Sequence, residues 1–152
     1  MNEQELTHLL MNNATTAPFF CGVLSHDELN MLPTPAEGFY IVNSDDSSGP
    51  GKHWLAIGWF KHGQSTEFFD SLAKEPQSYH TNIENFLLCK EKPYKYSKMR
   101  IQSSVSIKCG EFCIFYAYHR CKGYSFEQIL SVFSSTNLLL NDCIVERFVN
   151  SM

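Results

Sequence analysis

The chain reads as an α+β domain, with a mostly antiparallel central sheet and helices packed around it. Three observations carry that expectation. Apolar residues at helical spacing open the chain and dominate its last third, while short β-rich runs fill the middle. Two of those runs flank the tight turn at Gly63 and form a hairpin. The order helix, three strands, helix, strand, then helices is that of an α+β chain rather than of alternating βαβ units. At 152 residues and 43% hydrophobic content, residues 1–152 suit one domain with a single substantial core. No repeat or low-complexity linker divides them.

Leu6, Leu9 and Leu10 keep i, i+3, i+4 spacing, so a short helix opens the chain with Glu3 and Glu5 in its first turn. Asn12–Pro35 is loop-rich, with a second short helix at His26–Met31. Phe39–Val42 is a buried strand. Asn43–Lys52 (NSDDSSGPGK) is dense in turn residues and forms a loop. His53–Phe60 and Ser65–Asp70 are the hairpin strands, and Thr81–Lys90 is an amphipathic helix through Ile83, Phe86, Leu87 and Leu88. Tyr94–Gln102 returns as a strand. After a Cys-Gly corner, Phe112, Cys113, Phe115, Tyr116 and His119 recur at helical spacing, so one apolar face packs inward until Gly123 stops the helix. Ser125 and Gln128 form a capping-box signature for the next helix, and Asp142–Asn150 is the last.

Composition narrows the function classes. No run of about 18 apolar residues suggests a membrane span, and the acidic, amphipathic start MNEQELTHLL does not resemble a signal peptide. The six cysteines are therefore expected to be reduced thiols in an intracellular, non-secreted protein. A formal charge of −4 argues against a generally basic nucleic-acid surface. Lys90–Arg100 (KEKPYKYSKMR) is the one local candidate, and a solvated loop-plus-strand face is the reading favoured for it.

The chemistry concentrates at element ends. Cys109 opens a helix, where unpaired backbone N–H groups and the macrodipole favour an anion, and the thiolate is the form in which cysteine attacks. A buried, inert thiol is the alternative. Such a nucleophile needs a base, a group that orients the base, and donors for an oxyanion. His53 stands at a strand start and Asp70 at the end of its antiparallel partner, so they share one sheet edge. A carboxylate there orients the imidazole and favours its protonated form. Gln102 ends a later strand, where its side-chain amide and the Cys109 backbone N–H face a developing oxyanion. Taken singly, each also suits a bland role: His53 an ordinary strand end, Asp70 a turn cap, Gln102 a solvated strand residue. Cys109, Cys113, His119 and Cys121 invite a zinc reading, but their spacing along one helix does not match paired metal-ligand motifs; no metal is expected.

The runs GKHWLAIGWF, FFDSL and QSSVSIKCGEFC together resemble the adenovirus-type cysteine proteases (adenain), whose clan also holds the SUMO-specific proteases. That family carries His-Trp at a strand start, an acid about seventeen positions on, then Gln and, seven positions later, Cys-Gly; here these are His53-Trp54, Asp70, Gln102 and Cys109-Gly110. The similarity extends upstream through Phe19–Gly22 and Tyr40–Asn43 and downstream to Gly123. It implies a papain-related protease fold of the adenain/SUMO-protease type. It also implies His53 as base, Asp70 as its orienter, Cys109 as nucleophile, and Gln102 with the Cys109 N–H as oxyanion hole. Trp54 and Gly110 lie beside the site. Asp70 stands where adenovirus enzymes often carry Glu, whereas Asp is usual in the SUMO-protease branch. The family's disulfide-linked activating peptide has no clear cysteine counterpart here, Cys89 being nearest in sequence, and activation by DNA fits an acidic chain poorly. The small size and the FFDSL run are similar to the adenovirus-like proteases of Polinton (Maverick) transposons.

The resemblance implies a cysteine endopeptidase acting on protein precursors of a virus or virus-like transposon at Gly-containing sites, monomeric, with no cofactor for its chemistry. A DNA or peptide activator is an optional partner, and packaging in virions is compatible with the expected intracellular location. The alternatives are a deconjugating protease for a ubiquitin-like modifier ending in Gly-Gly, and an inactive adaptor of the same fold.

Overall fold

Five strands lie in the order β1-β2-β3-β4-β5: Phe20–Ser25, Gly38–Asn43, Trp54–Trp59, Thr66–Phe69 and Tyr94–Tyr96. The structure, a computed structural model, describes residues 1–31, 35–49, 52–90 and 92–152. Of the expected segments, parts of the loops 12–35 and 43–52, and one residue of the basic run 90–100, lie outside the described residues. The middle pairs β2/β3 and β3/β4 are antiparallel, whereas the outer pairs β1/β2 and β4/β5 are parallel. The sheet is therefore mixed, which corrects the mostly antiparallel expectation. The correction comes from the edges. β1 falls within the stretch read as loop, because its half-buried FCGVLS run lacks strict alternation. β5 ends at Tyr96, so Gln102 lies in an irregular segment rather than at a strand end.

Helices α1 (Glu3–Asn12), α2 (Thr81–Leu88), α3 (Cys109–Cys121), α4 (Phe126–Leu130) and α5 (Leu138–Asn150) complete the fold, with 3₁₀ turns at His26–Met31 and Pro76–Ser78. The end signals act as read. Asn2 and Glu5 form a capping box on α1, Ser125 and Gln128 form one on α4. α5 starts a turn before the expected Asp142, with Asn137 as its cap. Gly123 takes φ +98°, and the N–H groups of Gly123 and Tyr124 close back on Arg120 and His119, a Schellman end to α3.

Strand alternation divides the core between the two sheet faces. Phe39, Ile41, Ala56 and Phe69 face α1, α3, α4 and α5, while Tyr40, Val42, Leu55, Ile57 and Phe68 face α2 and the turn at His26–Met31. α3 is buried nearly all round, since it runs between the sheet and the other helices. Its sequence periodicity alone indicated one apolar face. A helix surrounded by packing loses that signature. No helix among the described residues is long and apolar enough to cross a membrane.

Candidate active site

Three separate pieces of backbone converge at one end of the sheet. His53 precedes β3, with its carbonyl accepting from the Ser44 N–H at 2.9 Å, so the residue continues the strand's direction. Ala56 pairs with Phe69, which puts Asp70 one step further along β4 and toward His53. Cys109 is the first residue of α3, and its N-cap Lys108 supplies no side-chain hydrogen bond, leaving N–H groups free at that helix end.

The His53 Nε2 and the Asp70 Oδ1 are 2.7 Å apart. With Nε2 engaged there, Nδ1 is the nitrogen left for the Cys109 thiol, which acts on the imidazole's titration. Asp70 is almost fully buried and well satisfied: besides His53 it accepts from the backbone N–H of Leu72 and Lys74 and from the Tyr79 hydroxyl, the last at 2.6 Å. Burial alone raises its pKa, but hydrogen bonding to His53, that residue's charge and the other donors win, so the carboxyl titrates below its ordinary range. At His53 burial disfavours the cation, but the hydrogen bonds and charges of Asp70 and Cys109 raise the pKa to about 9. Cys109 moves the other way. Burial pushes the thiol up, but the His53 hydrogen bond and charge, together with the backbone N–H groups of Trp54 and Gly110, bring it below the usual thiol value. Opposite shifts in the two partners are what a thiolate–imidazolium pair requires.

Gln102 joins the site by a route its sequence position did not reveal. The N–H groups of Ile101 and Gln102 both donate to the Ser71 carbonyl at 3.0 Å, tying this irregular segment to the turn after Asp70. The Gln102 Oε1 accepts from the Ser71 hydroxyl, and Nε2 donates to the Ser106 carbonyl at 2.9 Å. The amide is thereby fixed in orientation with its second N–H unassigned. Gln102, Cys109, His53 and Trp54 share one open groove of about 1030 Å³.

Trp54 donates its indole N–H to the Met1 carbonyl at 2.8 Å. A Cβ at position 110 would lie 3.1 Å from the Met1 Cβ and 3.5 Å from Trp54 Cδ1, so Gly110 is the residue that lets the chain start and the indole pack against α3. Two participants escaped the sequence reading. Tyr79 both donates to Asp70 and stacks on the His53 ring, centroids 5.8 Å apart and planes 21° apart. Ser71 holds the Gln102 amide. Neither has a local signal, because each acts through a tertiary contact.

Among the described residues no three His, Cys, Asp or Glu side chains stand where they could hold a metal ion. In the basic stretch, Lys92 donates to the Gly63 and Phe60 carbonyls, Lys95 pairs with Glu127, and Lys90 lies over Trp59 and Phe86. Cys89 is exposed, as the C-cap of α2.

No family model matches the chain. In sequence it is 28% identical over 142 aligned positions to cysteine protease S273R of African swine fever virus, covering 86% of this chain and 52% of that protein. The chain thus spans about half the length of the curated relative it matches. Among solved structures, the crystal structure of the same viral protease superposes with a TM-score of 0.62 at 18% identity, over 92% of this chain and 64% of that one. The SUMO protease Ulp1, solved with its catalytic cysteine oxidised to a sulfinic acid, superposes with a TM-score of 0.52 at 8% identity, over 98% of this chain and 78% of the other. The chain has the α+β fold shared by S273R and the SUMO protease Ulp1, and in sequence it is similar to the viral cysteine protease.

Proposed function

We propose that this protein is a cysteine endopeptidase that hydrolyses peptide bonds with Cys109 as nucleophile, His53 as base and acid, and Asp70 as the group that orients the imidazole. The single observation that carries the reading is the 2.7 Å Asp70–His53 pair standing with Cys109 on one open groove, the thiol and the imidazole shifting each other's titration in opposite directions. Similarity to S273R supports it. In the reaction the thiolate attacks the scissile carbonyl carbon, and the carbonyl electrons move onto oxygen. The free Gln102 N–H and the Cys109 backbone N–H stabilise that oxyanion. His53 Nδ1–H gives its proton to the departing amine nitrogen as the C–N bond breaks, leaving a thioester. Water, deprotonated by His53, then attacks the thioester, and the sulfur leaves as thiolate.

The substrates this reading favours are protein precursors cut at Gly-containing sites, as in maturation of a viral or virus-like particle; its viral relative supports that choice over removal of a ubiquitin-like modifier. The test is a cleavage profile of wild type and Cys109→Ala on Gly-X peptides, beside SUMO- and ubiquitin-type probes, each with and without DNA. Wild type is expected to cut Gly-X peptides, and Cys109→Ala to lose all cutting. Exclusive turnover of the modifier probes would reassign the substrate. Equal cutting by the mutant would remove Cys109 from the chemistry.

A further inference from the structure

Asn141, near the start of α5, is a polar residue with no exposed surface that the reaction above does not use. Asn favours caps and turns over helix interiors and is seldom fully buried, so its place in the core calls for an account. The amide is saturated. Nδ2 donates to the Ile101 carbonyl at 2.9 Å and to the Ser134 carbonyl at 2.7 Å, and Oδ1 accepts from the Ser134 N–H at 2.8 Å. The two bonds to Ser134 close the turn ahead of α5. The bond to Ile101 does something else: it reaches forty residues back along the chain, to the peptide unit that carries Gln102.

That peptide unit is gripped on both edges. Its carbonyl, from Ile101, goes to Asn141, and its N–H, from Gln102, goes to the Ser71 carbonyl at 3.0 Å. A peptide unit is planar, so a bond on each edge fixes its rotation and with it the direction in which the Gln102 side chain leaves the backbone. The Gln102 carbonyl accepts from the Arg100 Nε at 3.0 Å, and the side-chain amide meets Ser71 and Ser106. Ser71, Arg100 and Ser106 all lie in turns or irregular segments, whereas Asn141 stands on a helix. α5 packs against α3, the helix that Cys109 opens, so the Asn141 amide ties Gln102 to the same rigid frame as the nucleophile. A donor stabilises a developing oxyanion to the extent that it is fixed before the charge appears.

We infer that Asn141 is a positioning residue for the oxyanion hole, acting on the reaction through the Ile101–Gln102 peptide rather than through substrate. The inference rests on the endopeptidase reading and adds to it the buried group that aims the Gln102 amide. It separates two roles for one side chain: the Ser134 bonds serve the fold, and the Ile101 bond serves turnover.

The test is the kinetics of Asn141→Ala and of the isosteric Asn141→Asp, each alone and combined with Gln102→Ala, on a Gly-X peptide that wild type cuts. Asn141→Asp keeps the side-chain volume and the acceptor for the Ser134 N–H while replacing the donor to Ile101 with an oxygen, so it provides a folded protein where the alanine variant melts too early; thermal melting decides which is read. Expected is a kcat lower by about tenfold to a hundredfold, no more than Gln102→Ala itself loses, with KM within about twofold of wild type. The double variant should be no slower than Gln102→Ala alone, because the second change acts only through the first side chain. Iodoacetamide alkylation of Cys109 forms no oxyanion and should keep its wild-type rate. A folded Asn141 variant with wild-type kcat, a loss that exceeds or multiplies with that of Gln102→Ala, or alkylation slowed in step with turnover overturns the positioning role and leaves the endopeptidase standing. If wild type cuts no peptide and iodoacetamide labels Cys109 no faster than the other thiols, the endopeptidase reading falls and the positioning role with it.

Discussion

Asp70 illustrates how much one carboxylate organises. It receives the imidazole, two backbone N–H groups and a phenol, so it is rigid as well as ionised. Asp70→Asn removes the charge that, with Cys109, holds the His53 pKa at about 9. In the proposed reaction the imidazolium is the form that protonates the leaving amine, and it is present below that pKa and lost as pH rises through it. The alkaline limb of kcat/KM is therefore expected near pH 9 in wild type and at lower pH in Asp70→Asn, with kcat lower by about 10²-fold or more. A pH–rate profile of both proteins checks this, and an unmoved limb would detach Asp70 from the imidazole's titration. Tyr79→Phe keeps the ring stacked on His53 but deletes the 2.6 Å hydrogen bond. Hydrogen bonds to charged acceptors are worth about 1.5–3 kcal/mol, a loss that urea unfolding should register. His53, Asp70 and Cys109 were legible because their order and separations match those of the adenovirus-type proteases. Tyr79 was not, because nothing in QSYHTN says that its hydroxyl reaches back nine residues.

At the scale of elements, α3 is held against β4 by a buried polar network beside the stacked rings of Tyr116 and Phe69. Arg120 and Glu67, both almost fully buried, meet at 2.9 Å; Tyr116 donates to the same carboxylate at 2.7 Å, and Arg120 also donates to the Tyr124 carbonyl and lies over the Phe60 ring. The network sits at the far end of the helix that begins with Cys109. Arg120→Met leaves a buried carboxylate without its cation, expected to cost about 3–5 kcal/mol. Adding Glu67→Gln should recover part of that loss, giving a positive coupling in a double-mutant cycle of urea midpoints. Additive losses would mean that the pair does not act as a unit. The periodic pattern placed α3 well but hid this pair, because a charged residue in a helix pattern reads as solvent-facing until its partner on a distant strand is known. The strand read over Tyr94–Gln102 starts where expected but ends at Tyr96, for a related reason. After Tyr96 the backbone N–H groups of Ile101 and Gln102 turn to the Ser71 carbonyl instead of extending a ladder.

For the whole molecule, the balance of charge bears on partners. A net charge of −4, with Lys90, Lys92 and Lys95 already engaged within the chain, offers few free cations to displace phosphate counterions. No duplex DNA binding is expected by fluorescence anisotropy at physiological salt, and salt-dependent binding in the micromolar range or tighter would restore DNA as a partner. The α+β class and most elements follow from residue type, spacing and chain order, since helix caps, hairpin turns and strand alternation are local properties, whereas the His53-Asp70-Gln102-Cys109 quartet is picked out by its resemblance to the adenovirus-type proteases. Strand direction at the sheet edges is not local. It depends on which neighbour each edge strand meets, and β1 and β5 both pair in parallel with strands whose identity no short window records. The same holds for the groove, the contacts of Met1 with Trp54 and of Tyr79 with Asp70, and the lowered pKa of Cys109, which arise only when segments far apart in the chain meet.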